Sequence, residues 1–186
     1  MQRLERASIL LALVEALRTR GSWTGETHVQ KAAYFLQDLL EVPLELGFIL
    51  YKHGPYSFDL TNELAGMQAD DFLAFQPRPF PYGPSYVPGP LSGLLKASYG
   101  GVAVMYARQI QFAAQKLGAR SVAELERLAT ALYVSFEGGP PEDRPTRINA
   151  LKPHVSVAEA AKALAELDQI CCEAKGLNLL TAGAAL

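Results

Sequence analysis

The sequence predicts a mainly helical protein of the α+β class: a winged-helix-like core with a small β-sheet and wing, followed by a C-terminal helical cap. Three observations predict it. An apolar run, Phe48-Ile-Leu-Tyr51, ends abruptly at His53-Gly54-Pro55, and a short amphipathic helix opens just beyond at Ser57. A strand, a sharp turn and a helix therefore follow one another. A helical segment around Gln30–Gln37 precedes that turn. Beyond Gly101, long stretches repeat their apolar residues at helical spacing between glycine stops.

Each element has its own warrant. Leu10, Leu11, Val14 and Leu17 form a helical stripe over residues 4–19, which Gly21 closes. Thr24 or Thr27 is the expected cap of the next helix, which runs to about Leu40 before Pro43 breaks it. Leu46–Tyr51 reads as a strand, residues 57–67 as a helix capped by Ser57, and residues 71–76 as a second short strand. Phe58, Leu60, Leu64 and Met67 are the expected core or interface positions of that helix.

Residues 77–90 hold six of the twelve prolines, with Phe80, Tyr82 and Tyr86 among them. Neither a helix nor a central strand tolerates that composition, so an extended aromatic loop or wing is expected. Residues 91–99 fit a strand or a short helix, and Gly100-Gly101 is expected to be a break. A long helix over 102–117 then carries Val104, Met105, Ala107, Ile110 and Ala114 on one side. Ser121-Val-Ala-Glu124 and Ser156-Val-Ala-Glu159 are capping boxes that open helices to about Phe136 and Lys175. A loop over 138–145, a short helix at 146–151 and a frayed tail at 181–186 complete the reading. The division expected is a winged core over residues 1–99 and a helical lobe over 100–186, packed together and possible as a single domain.

Composition narrows the function classes. The chain has 186 residues, 49% hydrophobic and 19% charged, which is ordinary globular chemistry. No apolar run approaches the ~20 residues of a membrane span. The apolar run near the start alternates with Glu5, Arg6, Glu15 and Arg18, as in an amphipathic helix and unlike a secretory leader, so a cytoplasmic protein is expected. The net charge of −2 lowers the expectation of nucleic-acid binding. Cys171 and Cys172 are adjacent and read as reduced thiols, at least one of them packed. His28, His53 and His154 lack metal-ligand spacing, no phosphate loop is present, and Ser57 lacks a nucleophile-elbow context. No enzyme activity, cofactor or metal is therefore expected.

His28-Val-Gln-Lys-Ala-Ala-Tyr-Phe-Leu-Gln37 and Tyr51-Lys-His-Gly-Pro-Tyr-Ser-Phe-Asp-Leu60 resemble a family of small bacterial proteins, the YwgA-like proteins and the related SocA-like or Panacea-domain antitoxins. Ala129–Tyr133 and Leu151-Lys-Pro-His154 resemble the YwgA-like branch. The match covers the N-terminal half well and the C-terminal half loosely. It departs at Val29, where the family has leucine, and at His53, where an aromatic residue is common. The resemblance implies a non-enzymatic protein: Panacea-type domains bind and neutralise toxins, and one relative is a proteolytic adaptor.

A partner surface is expected from Lys31, Tyr34, Tyr51, Lys52, His53, Tyr56, Tyr82 and Tyr86, because aromatic side chains beside cations dominate protein interfaces. The expected partner is another protein, a toxin among the candidates. The alternative is a winged-helix DNA-binding regulator. Its reading helix would be 57–67, which offers Asp59, Asn62 and Glu63 and no cation. Residues 46–82 carry two cations against four carboxylates, a poor surface for phosphates. Arg3, Arg6, Arg18 and Arg20 on the first helix are the other route to a DNA backbone.

Overall fold

The structure, a computed structural model, describes residues 1–180, so the expected frayed tail at 181–186 lies outside the described residues. The chain is mostly helical. Helices α1 (Arg3–Thr19) and α2 (Glu26–Tyr34) come first, and α2 runs directly into a π-helical turn at Phe35–Leu39. Strands β1 (Ile49–Tyr51) and β2 (Gly54–Tyr56) precede α3 (Phe58–Ala69). Strands β3 (Leu73–Gln76) and β4 (Ser85–Pro88) precede α4 (Ser92–Met105), α5 (Ala107–Leu117) and α6 (Val122–Phe136). A 3-10 turn at Pro141–Asp143 leads to α7 (Arg144–Leu151) and α8 (Val157–Gly176). No described helix is long and apolar enough to cross a membrane.

α1 is the central post. The amphipathic stripe expected from the sequence is only part of its buried surface, for Ala7, Ser8, Ile9, Leu13 and Ala16 are buried as well. The helix is enclosed because α4 and α5 pack along it and α2 and β4 also touch it. Ser8 Oγ donates to the Tyr99 carbonyl of α4 at 3.0 Å. The charges of α1 sit at its ends. Arg3 pairs with Asp70 at 2.6 Å, and Arg6 with Glu63 at 3.1 Å. One hydrophobic core draws on both halves of the chain, from Leu10 and Val29 to Leu132 and Leu167.

The small sheet expected from the sequence is two separate antiparallel hairpins. β1 pairs with β2 (Ile49↔Tyr56, Tyr51↔Gly54) and β3 with β4 (Leu73↔Pro88, Gln76↔Ser85). The proline-rich segment does contribute a strand, β4, which corrects the loop expectation. Pro88 closes that strand, where a missing N–H costs least. Tyr86 donates its N–H to the Thr24 carbonyl, and Thr24 Oγ1 donates back to Tyr86 O at 2.6 Å. Thr24 is thereby committed to β4. Gly25 is the N-cap of α2, without a side-chain bond, in place of either threonine.

Gly100-Gly101 is not a break. α4 runs through it, and the interruption falls at Tyr106, between α4 and α5. Packing against α1 outweighs the intrinsic cost of glycine, about 1 kcal/mol each. The shift in boundary leaves Val104 and Met105 each 73% exposed, while Ile110 and Ala114 do enter the core. Both serine capping boxes form as expected. Cys171 is buried and Cys172 exposed, both as free thiols, and burial pushes the Cys171 thiol up to about 11.

A methyl group at Gly101 meets no atom within 4 Å, and its backbone is helical. Gly101→Ala should therefore raise stability by about 0.5–1 kcal/mol in urea melts. A neutral or destabilising result would mean that α4 does not run through this point.

Candidate functional site

The β1–β2 hairpin is too short to hold itself together, since an isolated two-stranded hairpin is at best marginal in water. It is held by side chains from three helical segments. Gln30 of α2 reads the backbone where the hairpin leaves: its Nε2 donates to Ser57 O and its Oε1 accepts from Ser57 N, both at 2.9 Å. Gln37, in the π-helical turn, does the same ahead of β1, donating to Leu46 O at 3.0 Å and accepting from Leu46 N at 2.8 Å. The two amides mimic strand neighbours.

Between these clamps two lysines hold the turn. Lys31 Nζ donates to Pro55 O at 2.7 Å. Lys152, just after α7, donates to Tyr51 O at 2.6 Å and Lys52 O at 2.7 Å. Gly54 follows the two-residue Lys52-His53 turn and takes a positive φ, +84°, a conformation glycine adopts without steric cost. Its α-carbon faces α6 so closely that a methyl group would lie 3.1 Å from Thr130 Oγ1 and 3.6 Å from Lys31 Cε.

Burying ammonium groups needs a counter-charge. Glu126 of α6 supplies it. Its Oε1 lies 3.9 Å from Lys152 Nζ and 3.3 Å from His154 Nε2, and its Oε2 lies 3.6 Å from His53 Nδ1. Oε1 takes no hydrogen bond, so its attraction to the Lys152 ammonium is coulombic. Lys31 is 1% exposed. Burial lowers its ammonium from 10.5 to about 8, against the pull of Glu126 and with the push of Lys152. Lys152 is lowered too, again by burial first, with Glu126 opposing.

On the outer face, three rings pack on one another. Tyr51, Tyr56 and Phe58 have centroids 5.1–5.9 Å apart. Tyr51 and Phe58 are each about half exposed, as is Ile49. The Tyr56 hydroxyl donates to Glu26 Oε1 at 2.8 Å, which fixes its ring. Phe58 is thus a surface residue, while Leu60, Leu64 and Met67 of the same helix are core. Ser57 caps that helix as expected, accepting from Leu60 N.

Of the residues expected from the sequence to form a partner surface, the structure brings Tyr51, Lys52, His53 and Tyr56 together on the hairpin. Lys31 and Tyr34 are corrections, because both are buried. Lys31 is drawn inward by the Pro55 carbonyl. Tyr34 packs its ring on Phe35 and Phe48, and burial raises its hydroxyl pKa, with Asp38 adding to the shift. Tyr82 and Tyr86 belong to a different place, around the β3–β4 hairpin, where Tyr86 is buried and Tyr82 exposed. Glu126 is not among the residues expected from the sequence, and Lys152 enters there only within the resemblance at Leu151–His154. The available signal is a glutamate set among the apolar positions Leu125, Leu128, Ala129 and Leu132 of a helix. No protein-family model matches the chain, and no curated protein matches it.

Two predictions follow from the anchor. Gly54→Ala forces a left-handed alanine against α6 and should cost at least about 1–2 kcal/mol, read as a lower midpoint in thermal or urea melts. For Lys31, the unfolded chain keeps its proton until pH approaches 10.5, whereas the folded chain releases it near 8. Between these values the unfolded state binds more protons, so this group's contribution to stability rises with pH. The stability of wild type relative to Lys31→Met should increase from pH 7 to 9.5, by at most about 1.4 kcal/mol per pH unit. A difference that is flat or falls with pH would contradict the assignment.

Proposed function

We propose that this chain is a non-enzymatic intracellular protein-interaction module, of the antitoxin or adaptor kind that the resemblance implies. Its partner docks on the aromatic face of the β1–β2 hairpin. The observation that carries this reading is a clustered apolar patch: Ile49 and Tyr51 of the hairpin and Phe58 at the start of α3 stay half exposed together, and the hairpin backbone is held from behind by Gln30, Lys31, Gln37 and Lys152. A rigid aromatic patch loses little entropy on binding, which is the basis of preorganised recognition. Lys52, exposed in the turn next to Tyr51, sets a cation beside the patch, so the partner offers an apolar centre with acidic residues beside it. The strand–turn–helix order over 49–69 supports the winged-helix-like kinship of the core.

The same geometry works against the DNA-binding alternative. Asp59 and Glu63 of α3 are acidic, and Glu63 with Asp70 occupies Arg3 and Arg6, which also donates to Leu44 O. These cations are already neutralised, so counterion release, the main driving force for phosphate binding, is weakened.

A photo-crosslinking phenylalanine analogue placed at Tyr51, and separately at exposed Met105, tests the reading in cells of the native host. Position 51 should give a discrete adduct with one protein, and position 105 should not. Phe58→Glu should weaken that complex at least about 30-fold, the loss typical of a central aromatic anchor. Equal crosslinking at both positions, or a salt-sensitive DNA shift without an adduct, would sink it.

A further inference from the structure

On the side of the molecule where β3–β4 meets the helix starts, a cavity of about 990 Å³ opens between the α1–α2 loop, the start of α2, the β3–β4 loop and the α5–α6 connection. Its volume is at the upper end of small-molecule sites. Its walls are aromatic: Trp23, Phe75, Tyr82 and Tyr86 all line it. Trp23 and Tyr82 meet edge to face at 5.2 Å. Trp23 remains 53% exposed, which is unusual for the largest apolar side chain.

The charges lining the cavity are unequal in what they are free to do. Glu26 accepts from the Tyr56 hydroxyl at 2.8 Å and from Thr61 Oγ1 at 3.3 Å. Arg120 is held by Glu166 at 2.7 Å. His28 donates through Nε2 to Leu117 O at 2.9 Å, and burial lowers its pKa, so it lines the cavity as a neutral ring. Arg78 alone of these has no ion pair or hydrogen bond among the described residues. Its guanidinium is stationed 4.1 Å over the Trp23 ring, and its Nε is buried without an acceptor. A cation–π contact positions a guanidinium without using its N–H groups. Those donors match the geometry of a carboxylate or phosphate.

We infer that this cavity binds a small organic anion, a flat ring bearing a carboxylate or phosphate, with Arg78 taking the oxyanion and Trp23 and Tyr82 taking the ring. The inference stands apart from the hairpin reading, because the residues proposed to touch each ligand differ; Glu26, which lines the cavity, reaches the hairpin only through the Tyr56 hydroxyl. Each can fail alone.

Trp23 is the sole tryptophan of the chain, so its fluorescence reports on this cavity directly. The full chain would be titrated with AMP and with benzoate, which separate a phosphate from a carboxylate ligand. Adenosine and benzamide serve as uncharged counterparts, and inorganic phosphate and acetate as ringless ones. Calorimetry in parallel detects binding that leaves fluorescence unchanged. At least one ring anion should bind saturably at millimolar concentration or below, and at least about tenfold more tightly than its uncharged or ringless counterparts. Arg78→Gln should weaken it by a similar factor while circular dichroism and the melting midpoint stay as in wild type. Arg78→Lys, which keeps the charge and loses the fork, should fall between. The inference is overturned if no ring anion binds by either method, if neutral counterparts bind equally, or if Arg78→Gln changes nothing. Equal binding of inorganic phosphate or acetate would remove the ring from the assignment.

Discussion

Backbone groups that no strand neighbour can satisfy organise this molecule. The segment 46–57 contains only a hairpin of two three-residue strands, yet its carbonyls and N–H groups are met by side chains from helices. Buried polar groups left unpaired are expensive. Gln30, Lys31 and Gln37 answer the problem from one continuous helical stretch, and Lys152 answers it from about a hundred residues away. The π-helical turn at Phe35–Leu39 is where Gln37 sits. One extra residue per turn changes the direction of every later side chain, and here the altered stretch presents an amide to Leu46.

The anchor has an electrostatic consequence. Two lysines buried behind one hairpin repel one another, and Glu126 is the carboxylate that makes the arrangement tolerable. Replacing a buried charge cluster with apolar residues is often neutral, whereas removing one member is severe. The cluster therefore ties α2, α6 and the α7–α8 connection to a single turn and specifies their relation more than it adds net stability. His53 and His154 sit at its exposed edge, 65% and 62% open at their side chains, so solvent screens their part in it.

Behind the anchor the molecule is conventional: α1 is enclosed, and apolar side chains from both halves of the chain fill one core. In front of it lie rings that the core does not need. The same division recurs at the β3–β4 hairpin, where Tyr86 is buried and bonded through its backbone to Thr24, while Trp23 and Tyr82 stay open. Each hairpin thus has a fixed rear and an aromatic front.

Helix periodicity, capping boxes and the Gly-Pro turn were enough to place most helices, the cap at Ser57 and the strand–turn–helix at 49–69, because these depend on interactions within a few residues. Four of the expected contact residues also met on one hairpin, since they are neighbours in sequence. Other assignments needed the fold. Gly100-Gly101 reads locally as a break, but α1 supplies packing that keeps it helical. A proline-rich run reads as loop, but Phe75 and Thr24 supply neighbours for a strand at Ser85–Pro88. Lys31 reads as a surface cation on a helix. Its burial was decided by a carbonyl 24 residues away and a carboxylate on α6, partners that lie beyond the reach of any local pattern.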